Sequence, residues 1–256
     1  MSEQDVTYEV QDGIAELVLN RPPVNALSLE LIEAVIARLR QASADEAVRA
    51  VIIRSANPKV FCAGLDLDLV HGKSGLEFRR FLERLYMELY DVQHRLGKPS
   101  IAAVSGAARA GGMTLALSCD MVMAGQGATF GYPEVKVGLI PALHLVHLPR
   151  QAGRYRAFAP LMNGEAFGVE DADRLGLLSA IVPDDKLLDE ARAAAQGFAA
   201  IHPDVLKHGK DVFMRANDLD WRRGFENMAD ALCTLITSKA SQDLLGAFVD
   251  GRGGKN

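Results

Sequence analysis

Cysteine is scarce: Cys62, Cys119 and Cys233 are the only three in 256 residues, widely spaced and without a CxxC pair. Such usage excludes a disulfide-stapled secreted scaffold and fits reduced thiols in a cytoplasmic protein. Neither sign of charge dominates, with 28 basic residues against 33 acidic and a formal net charge of −5. There is no Lys/Arg run or basic stripe, so nucleic acid is not an expected partner. No apolar run approaches the roughly 20 residues of a membrane-spanning helix. The opening MSEQDVTYEV also lacks the basic-then-apolar pattern of a secretory signal, so a soluble chain with no membrane partner is expected. Motifs are missing too. Without a Gly-x-Ser-x-Gly elbow a serine hydrolase is hard to support, and there is neither a Gly-Lys-Ser/Thr phosphate loop nor GxGxxG dinucleotide spacing. No internal repeat or low-complexity linker divides the chain.

What is present is apolar sequence with clear periodicity. At 49% hydrophobic residues the chain can bury a sizeable core. Residues 6–19 read as a hairpin about Asp12-Gly13. Ser28 precedes a helical pattern of Leu29, Ile32, Val35, Ile36 and Leu39. AVIIRS (50–55), SIAAVSG (100–106) and CDMVMAG (119–125) read as short strands of a sheet covered on both faces. A long amphipathic helix over 75–96 ends before Lys98-Pro99. This alternation predicts an α/β fold with right-handed crossovers and a mostly parallel sheet. Beyond about 187 only helical patterns remain, over 187–200, 203–215, 219–237 and 238–249. The expected division is therefore a core over 1–186 and a helical region over 187–256.

Three stretches carry candidate chemistry. GAARAGG (106–112) runs from a strand into a helix, where unpaired backbone N–H groups favour an anion or a developing oxyanion. A tight turn with close helix–strand packing explains the same residues, and on them alone explains them better. VFCAGLDL (60–67) is a second glycine turn after a strand-like run; two such turns can aim two N–H groups at one oxygen. FGYPEVKVG (130–138) carries Glu134 between glycines on a loop, where a lone carboxylate is usually solvated or salt-bridged.

The ordered set LNRPPVNALS (19–28), FCAGLDL (61–67), GAARAGGMTLALSCD (106–120) and FGYPEVKVGLIP (130–141) resembles the enoyl-CoA hydratase/isomerase (crotonase) family. The likeness runs on through GEAFGVEDADRLGLLSAIVP (164–183) and more loosely into the C-terminal helices. It implies repeated ββα units forming a two-sheet spiral core, a C-terminal helical trimerisation region, and a homotrimer or a hexamer built from two trimers. It also implies an acyl-CoA substrate, with coenzyme A entering as part of that substrate and no separate cofactor. By position, the backbone N–H groups of Leu65 and Gly111 correspond to the family's oxyanion hole. Pro23, Val24 and Ala26 fall where the family lines the CoA channel, and Ala63, Asp66 and Leu67 where backbone groups hold the adenine. Gly112, Thr114 and Tyr132 fall around the substrate. Arg252 and Lys255 are candidates for the CoA phosphates, although a frayed, solvated tail is the simpler reading.

The resemblance also bears on the reaction. Hydratases of the family share a water between two glutamates; here the first position holds Thr114 and the second Glu134. A threonine cannot take a proton at neutral pH, so the two-carboxylate machinery is incomplete. One glutamate suffices to move a double bond from Δ3 to Δ2, and 110–120 resembles the family's isomerases more than its hydratases. Isomerisation is thus expected, with Glu134 catalytic. Hydration, thioester hydrolysis, decarboxylation or a non-catalytic CoA-binding subunit are the alternatives. Phe130, Tyr132, Leu139, Ile140 and Leu143 are candidate walls of an apolar pocket. PALHLVHL (141–148) departs from the hydratases: Ala142 lacks the aspartate of dienoyl isomerases. His144 and His147 share a helix face without an evident third metal ligand, and packing or surface roles are expected for them.

Overall fold

The two residues Asp12 and Gly13 take φ of 51° and 78°, the backbone twist that suits a two-residue hairpin turn. They join β1 (Val6–Gln11) to β2 (Ile14–Leu19), paired antiparallel from Val6↔Leu19 to Gln11↔Ile14. The computed structural model of the chain describes residues 5–217, 229–230 and 232–253. Eight further strands follow: β3 (Ala50–Ser55), β4 (Val60–Cys62), β5 (Ser100–Val104), β6 (Ala107–Arg109), β7 (Met121–Gly125), β8 (Thr129–Gly131), β9 (Ala166–Gly168) and β10 (Ala180–Val182). They form two sheets, a six-stranded one in the order β1-β2-β3-β5-β7-β10 and a four-stranded one in the order β4-β6-β8-β9. From β2 onward every pairing in the larger sheet is parallel. Three times in succession the chain lays one strand in the large sheet and the next in the small one, then turns helical. These are the repeated ββα units of the expected crotonase-like fold.

Alternation along the large sheet divides the core. Leu17, Val51, Ile53, Ala102 and Val104 face one cluster with Leu31, Val35 and Leu39 of α1 (Leu29–Ala44). Ile14, Ala50, Ile52, Ile101 and Ala103 face the other, covered by Leu187, Ala191 and Ala195 of the helix Leu187–Ala199. Burial on both faces is what the continuous apolar runs of these strands require. Ser28 caps α1, its side chain accepting from the Leu31 N–H.

The long helix expected over 75–96 is α2 (Gly75–Leu82), a π-helical stretch (Glu83–Glu88) and α3 (Leu89–His94) in unbroken succession. Two local expectations change. GAARAGG is not wholly a turn, because Ala107–Arg109 pair with β4 and β8 as strand β6. The helix after it, α4 (Gly111–Leu117), stops at Ser118. CDMVMAG begins its strand only at Met121, because Asp120 ends it as an acceptor for the Ser100 N–H and for Lys210 Nζ, both at 2.7 Å. Lys210 lies on the helix Pro203–Asn217, and the last helix is Lys239–Gly253. Most of the helix expected over 219–237 lies outside the described residues. Among the described residues, no helix is long and apolar enough to cross a membrane.

Candidate active site

Neighbouring strands β4 and β6 run parallel, pairing Val60 with Ala107 and Cys62 with Ala108. Their chain-forward ends therefore lie side by side, and the two glycine turns leave from there. Gly64 has φ +95°, and a Cβ on it would stand 2.8 Å from both the Ala110 Cβ and the Arg109 carbonyl oxygen. No L-residue fits that angle and that gap comfortably. A Cβ on Gly112 would meet the Cys62 carbonyl oxygen at 2.3 Å, so α4 rests directly on the β4 backbone. Ala110 takes φ 49°, ψ −118° as the residue preceding α4. This is a strained conformation for alanine, on the order of 1–3 kcal/mol, and it turns the chain sharply out of β6.

That turn presents two amides. Leu27 bridges the first turn: its N–H donates to the Gly64 carbonyl at 2.7 Å, and its carbonyl accepts from the Asp66 N–H at 3.0 Å. In such a parallel bridge the Leu65 N–H points away from Leu27. Gly111 is the first residue of α4, where an N–H has no partner within the helix. A Cβ on Gly111 would lie 3.7 Å from the Leu65 nitrogen. The two amides are thus neighbours, and both residues line one cavity of about 220 Å3.

Glu134 lines the same cavity. It sits on a single 3-10 turn, Pro133–Val137, rather than on the expected loop; Pro133 starts the turn and Gly138 ends it in the left-handed region at φ 82°. The Oε2 atom is shielded from solvent and has no hydrogen-bond partner among the described residues. Burial pushes this carboxyl up to about 8 from its ordinary 4.5. Lys136, the only cation of the described lining, does not offset this, being paired with Glu165 at 2.6 Å. Tyr86 also lines the cavity; burial first, and then the charge of Glu134, raise its phenol.

Thr114, one turn along α4, completes the polar lining. It is 1% exposed, and its Oγ1 lies 3.1 Å from His144 Nε2. Of the packing and surface roles expected for the two histidines, His144 takes the first: it is fully buried behind Thr114 on the helix Ala142–Ala152. Burial, with His147 as a neighbour, lowers its imidazole to about 3, while His147 is lowered by burial to about 4. Both rings are therefore neutral at physiological pH. No group of three His, Cys, Asp or Glu able to hold a metal ion occurs among the described residues.

Apolar side chains form the rest of the wall. Leu139 and Ile140 line it as the sequence suggests, as do Phe78, Phe81, Leu82 and Leu85 from the 75–94 helix. Phe130, Tyr132 and Leu143 do not: they are buried behind it, with the Tyr132 ring 4.6 Å from that of His144. Leu232 and Phe248 from the C-terminal region also line the cavity, which sequence periodicity gave no means of placing. Ala63 and Leu67 reach it, whereas Pro23, Val24, Ala26, Asp66 and Gly112 stand outside its lining. The Val24 carbonyl accepts from the Ala63 N–H at 3.0 Å, so the 20–28 loop abuts the first turn. Asp66 is held at 2.9 Å by Arg21, a partner that sequence reading missed. Lys255 and the side chain of Arg252 lie outside the described residues.

Comparisons with known proteins bear on the family and the fold. The family model described as "Enoyl-CoA hydratase/isomerase" matches residues 9–254. A relative from Rhizobium meliloti named "Probable enoyl-CoA hydratase" is 31% identical, with 97% of this chain and 96% of the relative covered. An enoyl-CoA isomerase/hydratase from Mycosarcoma maydis is 32% identical over 92% of this chain and 89% of its own. In structure, the chain is similar to an enoyl-CoA hydratase/isomerase from Xanthobacter autotrophicus, with a TM-score of 0.85, 28% identity, and 99% and 98% of the two chains covered. With two sheets of ββα units, paired glycine turns and a match along nearly its whole length, the chain belongs to the enoyl-CoA hydratase/isomerase family.

Proposed function

We propose that the cavity takes the acyl end of a CoA thioester and shifts its double bond from Δ3 to Δ2, with Glu134 as sole acid and base. The observation that carries this reading is that Glu134 is the only carboxylate among the described lining residues. The ionised carboxylate removes a proton from C2 of a 3-enoyl thioester. Electrons move onto the thioester oxygen, where the Leu65 and Gly111 N–H groups stabilise the enolate. As the enolate collapses, the C2–C3 double bond forms and C4 takes the proton back from Glu134. A buried acid near pH 8 suits both halves, since proton removal and return are then closely matched. Each amide donor accounts for roughly 3–4 kcal/mol of transition-state stabilisation. Coenzyme A enters with the substrate, its channel formed by Pro23, Val24, Ala26, Ala63, Asp66 and Leu67.

Hydration is the second reading. Relatives named as hydratases support it, and so does the Thr114 hydroxyl beside the cavity, which offers a hold for a water molecule. Product identification separates the two, using a 3-enoyl-CoA and crotonyl-CoA as substrates. Conversion of the former to a 2-enoyl-CoA, with slow hydration of the latter, is the expected result. Fast hydration without isomerisation would overturn the first reading.

A further inference from the structure

Two adjacent polar side chains on the last helix, Lys239–Gly253, take no part in the proton transfers above. Each nevertheless holds one of the two segments that carry the reacting groups. Ser241 is 2% exposed, and its hydroxyl donates to the Gly138 carbonyl at 2.5 Å. Gly138 ends the turn that carries Glu134, and the Leu139 N–H beside it donates back to the Glu134 carbonyl at 2.9 Å. Gln242 reaches the other segment: its Oε1 accepts from the Gly72 N–H at 3.2 Å, while its Nε2 donates to the Ile236 carbonyl at 2.8 Å. Gly72 is tied back to Leu65 by successive backbone bonds. The Asp66 N–H donates to Leu27, the Leu69 N–H to Asp66, and the Val70 and His71 N–H groups to Leu67, at 2.9 to 3.0 Å. A Cβ on Gly246 would lie 3.4 Å from His71 Nε2, so the helix also rests against this segment.

Neighbours on a helix point about 100° apart, so one rigid turn can hold two segments at once. That turn is itself fixed, since Ser238 Oγ accepts from the Ser241 N–H at 3.2 Å and the Ser238 carbonyl from the Gln242 N–H at 3.1 Å. We infer that Ser241 and Gln242 are positioning residues, a two-pronged clip that fixes the Leu65 amide and the Glu134 carboxylate at one separation. The inference rests on the acyl-thioester reading of the cavity but not on which reaction follows. An enolate forms only where base and amide meet the substrate together, so the clip acts on the chemical step rather than on ground-state binding. It also explains why a hydroxyl is buried at 241, where an alanine would pack against Gly138 without needing a partner.

The test is turnover by the full chain of whichever of a 3-enoyl-CoA or crotonyl-CoA the wild type converts, with butyryl-CoA calorimetry counting binding-competent chains. A misplacement of about 1 Å can cost about 100-fold in rate. Ser241→Ala and Gln242→Leu are each expected to lower kcat per competent chain about tenfold, with KM and butyryl-CoA affinity within about twofold of wild type. Ser241→Thr keeps the hydroxyl and should recover part of the loss. Gln242→Glu keeps the acceptor for the Gly72 N–H but not the donor to Ile236, and should recover most of it. A merely structural role would lower the urea midpoint and the number of competent chains, leaving kcat per competent chain alone. Wild-type kcat per competent chain in either Ser241→Ala or Gln242→Leu therefore overturns the inference. Gln242 is only half-buried, so its variant serves alone if Ser241→Ala does not fold. Amide hydrogen exchange is the second measurement. Faster exchange over 133–139 in Ser241→Ala and over 66–72 in Gln242→Leu is expected, and wild-type exchange in both segments also overturns the clip. Failure of the wild type to bind butyryl-CoA would instead sink the acyl-thioester reading, with the exchange measurement still deciding on the clip.

Discussion

Glu134 is an acid set by its surroundings rather than by a partner. Desolvation raises it to about 8, and its Oε2 accepts no hydrogen bond among the described residues. As a base it must be ionised in the free enzyme, so kcat/KM should climb with pH and level off above about 8. A pH–rate profile checks this, and a profile flat from pH 6 to 9 would disagree. The sequence showed a glutamate between Pro133 and Val135 with Leu139 and Ile140 as apolar walls nearby, but not the share of Tyr86 and the C-terminal Leu232, which are distant along the chain and line the same cavity. The same limit applied to His144. Its spacing from His147 showed a shared helix face, but the direction of that face depends on how Ala142–Ala152 packs over α4.

The elements show how two weak motifs become one site. The GAARAGG turn alone read as packing, and packing is part of the answer: α4 lies against β4 because Gly112 has no side chain. Gly112→Ala, with its Cβ 2.3 Å from the Cys62 oxygen, must push α4 away from β4. The expected cost is about 1–3 kcal/mol in urea unfolding, with a larger loss of activity as the Gly111 amide moves from that of Leu65. Wild-type stability and rate in this variant would contradict the geometry. Strand and helix positions were legible because β2, β3 and β5 are mostly apolar, interrupted only by Glu16, Arg54, Ser55 and Ser100, and α1 keeps a 3.6-residue period behind Ser28. Ala107–Arg109 escaped as a strand since three residues of Ala-Ala-Arg carry no alternation. Their pairing is supplied by β4 and β8.

Across the whole molecule, buried ionisable groups set the response to pH. The folded state keeps a proton on Glu134 between its ordinary 4.5 and about 8, where the unfolded chain releases it. Stability therefore falls as pH rises through that window. Glu134→Gln removes this cost, so its advantage in urea midpoint over wild type should grow from pH 5 to pH 8. His144 works in the opposite direction. Buried neutral, it leaves the unfolded chain to bind the extra proton between 6.5 and about 3, so acid weakens the fold. His144→Gln should remove about one proton from that uptake, read as a shallower loss of midpoint below pH 6. Because Glu134→Gln is expected to be folded and no less stable than wild type, its activity reports chemistry. Turnover of a 3-enoyl-CoA by wild type and Glu134→Gln at pH 8 is the most direct measurement of the central claim. A loss of about 10²–10⁴-fold with acyl-CoA binding retained is the predicted result; turnover at the wild-type rate by the glutamine variant would contradict it.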